Sequence, residues 1–361
     1  METPYKANLS YATPNAGAHM AAIYQRMREI EFAAALEGDE LTIDLGRDNA
    51  RARLARDPET LTIAVESATE QGVRLLRSFL GFQLERVAAD ENPEVIWEGF
   101  GADETELPGL REMRFVSREL VTPLMMRITL AGEDLERYAH DSHYVRLLFP
   151  PAGLEKPEWP KPGRNGRAVW PEGGRGPASR VYTVRSVDVV RGTMEIDFVL
   201  HEGPGVAADW ARQAGPGALV GLLGPAGTPL RPVDWYLIGG DETALPGIAR
   251  ILEKIGPEAE AEVFIEIEDA AERQTLPHGG NVTFHWLERN GLKAGQNSLL
   301  LDALKGVAVP RTGSRLVWVG AEAATAQEMR RYCKSDLGLT RGEHNITGYW
   351  QYGKNLAEVA A

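Results

Sequence analysis

Arg180-Val181-Tyr182-Thr183-Val184-Arg185 is the stretch whose reading decides the fold. Its β-branched and aromatic residues favour a strand. Side chains alternate along a strand, so Arg180 and Tyr182 point the same way. Arg180 offers a planar fork of donors that matches a phosphate. The Tyr182 ring can lie against a flat heterocycle. Thr183 adds a short hydroxyl and a backbone N–H, which suit a ring nitrogen and a carbonyl. The plainer reading is a strand with two exposed arginines, so the decision rests on the surroundings.

Downstream, Gly192 marks a turn and 194–200 the next strand. His201-Glu202-Gly203-Pro204-Gly205 then feeds a helix over 206–213. A glycine-rich turn entering a helix presents unpaired N–H groups and the positive dipole end, which suits a pyrophosphate. Residues 217–223 read as another strand. Upstream, 113–120, 125–130 and 144–149 also read as strands. Short strands with Gly/Pro turns make a small antiparallel barrel. Between them, residues 150–178 are rich in Pro, Gly and Arg and lack a period. Loops beyond ~15 residues are usually functional or disordered. Two readings stay open: a surface excursion, or a lid anchored by Trp159 and Trp170.

Beyond the barrel, Trp235-Tyr236-Leu237-Ile238-Gly239-Gly240 reads as a buried strand. Thr243 reads as the N-cap of a helix over 247–255, with Pro246 in its first turn. Strands over 263–267, 282–286 and 316–319 alternate with helices near 299–304 and 324–337. That alternation means a parallel sheet with helices outside it. A ligand then sits at the carboxyl ends of the strands.

Ahead of the barrel, residues 1–16 read as a polar tail. Ile23, Met27, Ile30 and Ala34 recur at helical spacing, which predicts a helix from His19 through Leu36. His19 reads as a solvated residue at its start. Strands follow at 41–45, 48–54 and 61–65. Ser67 and Glu70 form a capping-box spacing and open a helix to about Val87. A last strand ends at Trp97, and 99–108 is the linker. The expected organisation is a small α+β domain (17–100), an antiparallel β-barrel (110–231) and an α/β parallel-sheet domain (232–355).

The 361 residues suit two or three domains. A net charge of −13 argues against nucleic acid or an anionic membrane as partner. One cysteine excludes an internal disulfide framework and a cysteine-ligated zinc or iron–sulfur site from one chain. Cys333 reads as a structural thiol, and His285 and His344 as surface or strand residues. No basic start precedes an apolar run, and no run approaches the ~18 apolar residues of a membrane span. The expectation is a soluble, cytoplasmic protein.

Residues 110–355 resemble the siderophore-interacting protein family, a branch of the ferredoxin reductase-like flavoproteins. The resemblance rests on Arg180-Val181-Tyr182-Thr183-Val184-Arg185, Asp197-Phe198-Val199-Leu200-His201, Gly239-Gly240-Asp241-Glu242-Thr243-Ala244-Leu245-Pro246-Gly247-Ile248-Ala249-Arg250 and Gly348-Tyr349-Trp350. It implies an FAD enzyme that passes electrons from NADH or NADPH, or in some branches ferredoxin, to Fe(III) held in a siderophore. It implies FAD contacts from Arg180, Tyr182, Thr183, Val184, Asp197, Phe198, Val199 and His201, with Tyr182 and Thr183 at the reacting ring. The backbone at 205–208, including Gly205, Ala207 and Ala208, would hold the phosphates. Asp241, Glu242, Thr243 and Ala244 would line the nicotinamide nucleotide cleft, which Trp350 approaches. Arg146 would meet an anionic ferric chelate, with Arg231 and Lys354 in compensation for the basic residues missing at 226 and 351. The chain departs from the pattern at Ala226 and Gln351, where basic residues are common, at Ala208 for serine, and at Gly320-Ala321-Glu322 for Ala-Gly-Glu. The N-terminal segment resembles a small uncharacterised domain family found ahead of such proteins, through Phe82-Gln83-Leu84-Glu85-Arg86-Val87 and Trp97. That family commonly has histidine where Gln83 stands.

His201 reads either as a flavin contact or as a strand end. Glu266 and Glu268 at a strand end favour NADH, whereas Arg273 nearby would favour NADPH. Two other functions compete with ferric-chelate reduction. One is a general flavin reductase or diaphorase. The other is a non-catalytic flavin or iron-chelate sensor acting through the N-terminal module.

Overall fold

The computed structural model describes residues 4–30, 32–46, 49–139, 144–154, 156–201, 205–227 and 230–353. The chain divides into two compact units. One is Met1–Pro108 with Trp159–Gly176; the other is Gly109–Glu158 with Pro177–Ala361.

The first unit contains β1 (Tyr5–Ala12), α1 (Ala16–Glu29), β2 (Ala33–Glu37), β3 (Glu40–Asp44), β4 (Arg51–Arg56), β5 (Thr60–Ser67), α2 (Glu70–Val87) and β6 (Trp97–Gly99). Its strands pair in the order β2-β3-β4-β5-β1-β6, every neighbour antiparallel. Met20, Ile23 and Met27 of α1 join Val73, Leu76, Leu80 and Leu84 of α2 in one core. The inward residues Leu9, Leu41, Ile43, Leu54, Ile63 and Val65 complete it.

Several expectations for this unit are corrected. Within the supposed tail, β1 is an internal strand, because its partners lie some sixty residues away (Tyr5↔Ser67), and Ala7, Leu9 and partly buried Tyr11 face the core. The helix expected through residue 36 stops at Glu29, and Ala33–Glu37 pairs with β3 instead. Sheet pairing there overrides the helical spacing. On α2 the cap is Thr69, whose hydroxyl accepts the Gly72 N–H at 3.1 Å; the Ser67 hydroxyl accepts the Thr69 N–H.

His19 is buried rather than solvated. Its Nε2 lies 2.8 Å from Glu91 Oε1. Tyr11 and Asn15 also donate to Glu91, and these bonds hold its carboxyl down at about 2.

The excursion after the third barrel strand also belongs to this unit. β10 (Lys161–Pro162) and β11 (Ala168–Val169) form a small hairpin. Asn165 Nδ2 and Arg167 Nη1 donate to Glu85 of α2 at 2.7 and 3.0 Å. The Arg167 guanidinium lies 4.9 Å from the Phe82 ring centre, and the Trp97 N–H donates to the Arg164 carbonyl. The middle of this stretch is thus docked on α2 and β6, through Asn165 and Arg167 on Glu85 and through the Arg164 carbonyl.

The second unit begins with β7 (Arg111–Thr122), β8 (Met125–Ala131), α3 (Glu136–Ala139) and β9 (Tyr144–Phe149). It resumes with β12 (Ala178–Asp188), β13 (Thr193–Val199), α4 (Val206–Gln213) and β14 (Leu219–Ala226). These strands close a barrel in the order β12-β13-β8-β7-β14-β9. Then come β15 (Trp235–Gly240), α5 (Leu245–Leu252), β16 (Glu260–Ile267), β17 (Asn281–Glu288), α6 (Leu299–Lys305), β18 (Arg315–Glu322), α7 (Ala323–Ser335) and β19 (His344–Trp350). They form a parallel sheet in the order β17-β16-β15-β18-β19. The strand order reverses between β15 and β18, which puts a ligand crevice at their carboxyl ends. Among the described residues no helix is long and apolar enough to cross a membrane.

Glu85→Ala removes the acceptor shared by Asn165 and Arg167. The expected result is faster trypsin cleavage at Arg164 and Arg167, with a stability loss of about 1 kcal/mol in urea. Wild-type cleavage rates would count against this docking.

Candidate functional site

On the barrel, Arg180 is half-buried and its Nη1 donates to the Ser179 carbonyl at 2.8 Å. The Tyr182 ring lies on Phe198, with centres 4.4 Å apart and planes tilted by 36°. Phe198 in turn stacks on Trp210 of α4. Burial pushes the Tyr182 hydroxyl up, so it stays protonated. Thr183 is buried.

Of the other expected barrel contacts, Val184 and Phe198 have fully buried side chains. Asp197 is buried too, and Arg127 of β8 grips it with Nε and Nη2 at 2.7 and 2.9 Å. The pair follows from register, since Asp197 stands opposite Arg127. Backbone is the part of these three residues left to face a cofactor, together with half-buried Val199. His201 is exposed, and its carbonyl accepts from Arg212. Arg146 donates to the Ser179 hydroxyl at 3.0 Å. Arg231 is exposed on the segment before β15. Lys354 lies outside the described residues.

On the parallel sheet, Asp241 rather than Thr243 caps the turn after β15. One Asp241 oxygen accepts the Thr243 N–H and hydroxyl, at 2.9 and 2.5 Å. The other accepts the indole N–H of Trp350 at 2.8 Å. Burial outweighs these bonds and raises the Asp241 carboxyl to about 6. Ala244 is wholly buried. Glu242 is buried under Arg289, which donates to both its oxygens at 2.9 and 2.6 Å. Arg289 also meets Glu266 at 3.4 Å and Glu268 at 3.2 Å. Burial lowers the Arg289 proton affinity, but Glu242 and its neighbours more than reverse that. Arg273 is paired with Glu288 at 2.7 Å.

Barrel and sheet are joined by groups that motif reading passed over. Arg250 of α5, six per cent exposed, donates to the Val184 carbonyl at 3.1 Å and to those of Tyr138 and Ala139 at 3.4 Å. Glu272 accepts the Thr122 hydroxyl at 2.5 Å and the Leu124 N–H at 2.9 Å, so it caps the β7–β8 turn from the other lobe. Arg185 meets Glu253 at 2.9 Å. The hydroxyls of Tyr144 and Tyr349 meet at 2.7 Å. Arg250 and Tyr349 lie inside quoted motifs, but their partners are visible only once strands are paired.

The barrel side fits FAD. Helix α4 opens on Gly205 with no side-chain cap. A Cβ at Gly205 would stand 2.7 Å from the ring of exposed His201, which would have to shift to admit it. Asp209 takes the Gly205 N–H at 3.1 Å, so the amides that face a phosphate begin at residue 206. Arg180 would supply the cation, and Tyr182 on its aromatic stack the flat surface.

A barrel of this construction ahead of a five-stranded parallel sheet defines a two-lobed flavin and nucleotide protein. Residues 114–229 match the family model described as siderophore-interacting FAD-binding domain, and residues 233–353 match that described as siderophore-interacting protein. The chain belongs to the siderophore-interacting protein family. It is 30% identical to the ferric vibriobactin reductase ViuB of Vibrio cholerae over 70% of this chain and 94% of that protein. It is 34% identical to the NADPH-dependent ferric-chelate reductase of Escherichia coli over 49% of this chain and 70% of that protein. A siderophore utilization protein from T. fusca superposes with a TM-score of 0.58 at 36% identity, covering 70% of this chain and 97% of that one.

Two outcomes follow from the site. Arg250→Ala strips a buried cation from three carbonyls and is expected to cost about 3–5 kcal/mol in urea denaturation. The buried Asp241 carboxyl binds its proton more tightly in the folded chain than in the unfolded one, from 3.8 up to about 6. Its contribution is therefore fully present below about pH 4 and lost as pH rises through about 6. Relative to Asp241→Asn, the wild-type chain is expected to lose on the order of 3 kcal/mol across that window. Parallel pH profiles for the two proteins would refute it.

Proposed function

We propose that this chain is an FAD-dependent ferric-chelate reductase that takes electrons from a nicotinamide nucleotide and releases iron from a ferric siderophore. The observation that carries the reading is the joining, in one compact unit, of the Arg180–Thr183 strand and the crevice at the ends of β15 and β18. Flavin, when bound, supplies the chemistry that turns a two-electron donor into single-electron transfers. The balance is one NAD(P)H and two Fe(III) giving NAD(P)⁺, two Fe(II) and one proton. Siderophores hold Fe(III) through hard oxygen donors; Fe(II) binds such ligands far more weakly, so reduction releases the metal.

The side chains orient and screen. Arg180 and the amides of residues 206–208 would neutralise the pyrophosphate. Tyr182 would support the ring, with Thr183 at its polar edge. Asp241, Thr243 and Trp350 would shape the nucleotide side, and Arg146 and Arg231 would attract an anionic chelate. With alanine at 226 and glutamine at 351, that basic lining is thin, which suits a chelate of modest negative charge.

The sheet edge supports NADH as donor. Three carboxylates, Glu242, Glu266 and Glu268, surround one guanidinium, and Arg273 is already used by Glu288. A 2′-phosphate there would meet net negative charge.

The purified chain is expected to be yellow or to take up FAD, and to bleach anaerobically with NADH. Added ferric chelate should restore the colour, with Fe(II) captured by a chromogenic trap. NADH should exceed NADPH in kcat/KM by about tenfold, the worth of ~1.4 kcal/mol. Bleaching reversed by free flavin but not by ferric chelate would favour a diaphorase. Bound FAD that no nicotinamide nucleotide reduces would favour a sensor.

A further inference from the structure

We infer that the crevice takes its reductant by the dihydronicotinamide riboside end alone and offers no seat to the donor's pyrophosphate. The inference rests on the nicotinamide reading of this site. In a doubly wound sheet a dinucleotide pyrophosphate is held by unpaired amides at the helix starts beside the switch point. This chain fills both of those helix starts with its own carboxylates.

After β15, Asp241 closes the turn. One of its oxygens accepts the Thr243 N–H and hydroxyl at 2.9 and 2.5 Å. The Ala244 N–H goes to the Asp241 carbonyl and the Leu245 N–H to that of Glu242. Pro246 has no N–H to offer. After β18, Glu322 caps α7. One of its oxygens accepts the Ala324 and Thr325 N–H groups at 2.5 and 3.4 Å, and the other accepts the Tyr352 N–H at 3.1 Å. Both carboxylates are buried.

An indole bridges the two caps. Trp350 pairs with Glu322 along β18–β19, and its N–H donates to the second Asp241 oxygen at 2.8 Å. Gly295, on the segment before α6, closes against both. A Cβ there would stand 2.7 Å from Trp350 Cη2 and 2.9 Å from Glu322 Cγ. The Arg289 guanidinium is spent on Glu242, Glu266 and Glu268. A pyrophosphate would therefore meet two carboxylates and an indole where helix amides would otherwise receive it. The same groups suit a nicotinamide riboside: an indole takes an aromatic ring, and carboxylate lone pairs take ribose hydroxyls. NADPH is disfavoured against NADH because it brings one more phosphate toward this acidic edge.

The test compares 1,4-dihydronicotinamide riboside with NADH as donor to the FAD-loaded chain in stopped flow. Either donor gives up one hydride from its ring and leaves as the nicotinamide cation, so the electron balance is the same. The riboside should reduce the flavin with a second-order rate constant within about threefold of that of NADH, or above it. Glu322→Gln keeps an oxygen for the α7 amides and removes the charge. It should speed NADH by about threefold and leave the riboside within about twofold. Calorimetry adds a readout without turnover. ADP-ribose carries the pyrophosphate and no nicotinamide, and it should bind no more tightly than about 1 mM. Three results would each overturn the inference while the ferric-reductase reading stands. They are a riboside slower than that limit, tighter binding of ADP-ribose, and a Glu322→Gln variant whose gain on NADH is absent or shared by the riboside. A flavin that neither donor reduces overturns both.

Discussion

A buried guanidinium ties the barrel to the parallel sheet. Arg250 stands on the helix after the first strand of the parallel sheet, yet its hydrogen bonds end on barrel carbonyls, one of them Val184 in the Arg180 strand. A cation so far from water is tolerated only when its donors are met. The barrel meets them with backbone, which a side-chain substitution cannot remove. Glu272 does the reverse, sending a carboxylate from the sheet lobe to cap a barrel turn. Opposite charges anchored in one lobe and answered in the other fix the crevice before any ligand arrives.

Within that crevice the polar groups divide by task. The barrel side offers donors: a guanidinium, helix amides and a threonine hydroxyl. The sheet side carries carboxylates, and they are restrained. Asp241 is held by Thr243 and Trp350, and Glu242 by Arg289. The molecule is acidic overall, with a net charge of −13, so its attraction for anions is local and does not come from its mean field.

The N-terminal unit is stabilised by other means. Its helices fill one face of a six-stranded sheet, and Glu91 gathers Tyr11, Asn15 and His19 around one carboxylate. Glu85 does the same for the hairpin of residues 161–169. Gln83, where the resembling domain family has histidine, is buried on α2, and its side-chain oxygen has no hydrogen-bond partner among the described residues. A histidine function at that position is absent from this chain.

The sequence by itself determined the local and the periodic. Alternating strands, the glycine-rich entry to α4, the strand–helix alternation and the Arg180–Thr183 motif were all legible, because each depends on neighbours a few residues apart. Tertiary structure decided whatever depends on partners far along the chain. Tyr5–Ala12 is a strand because residues near 65 and 98 pair with it, not because its own pattern is strongly apolar. Asp197 is a gripped carboxylate because pairing sets Arg127 opposite, and Tyr349 meets Tyr144 because a bulge and a missing methyl at Gly320 leave its ring room. Spacing along a chain encodes which face a side chain takes. Which charge or hydroxyl waits on that face is fixed only when distant strands close into a sheet.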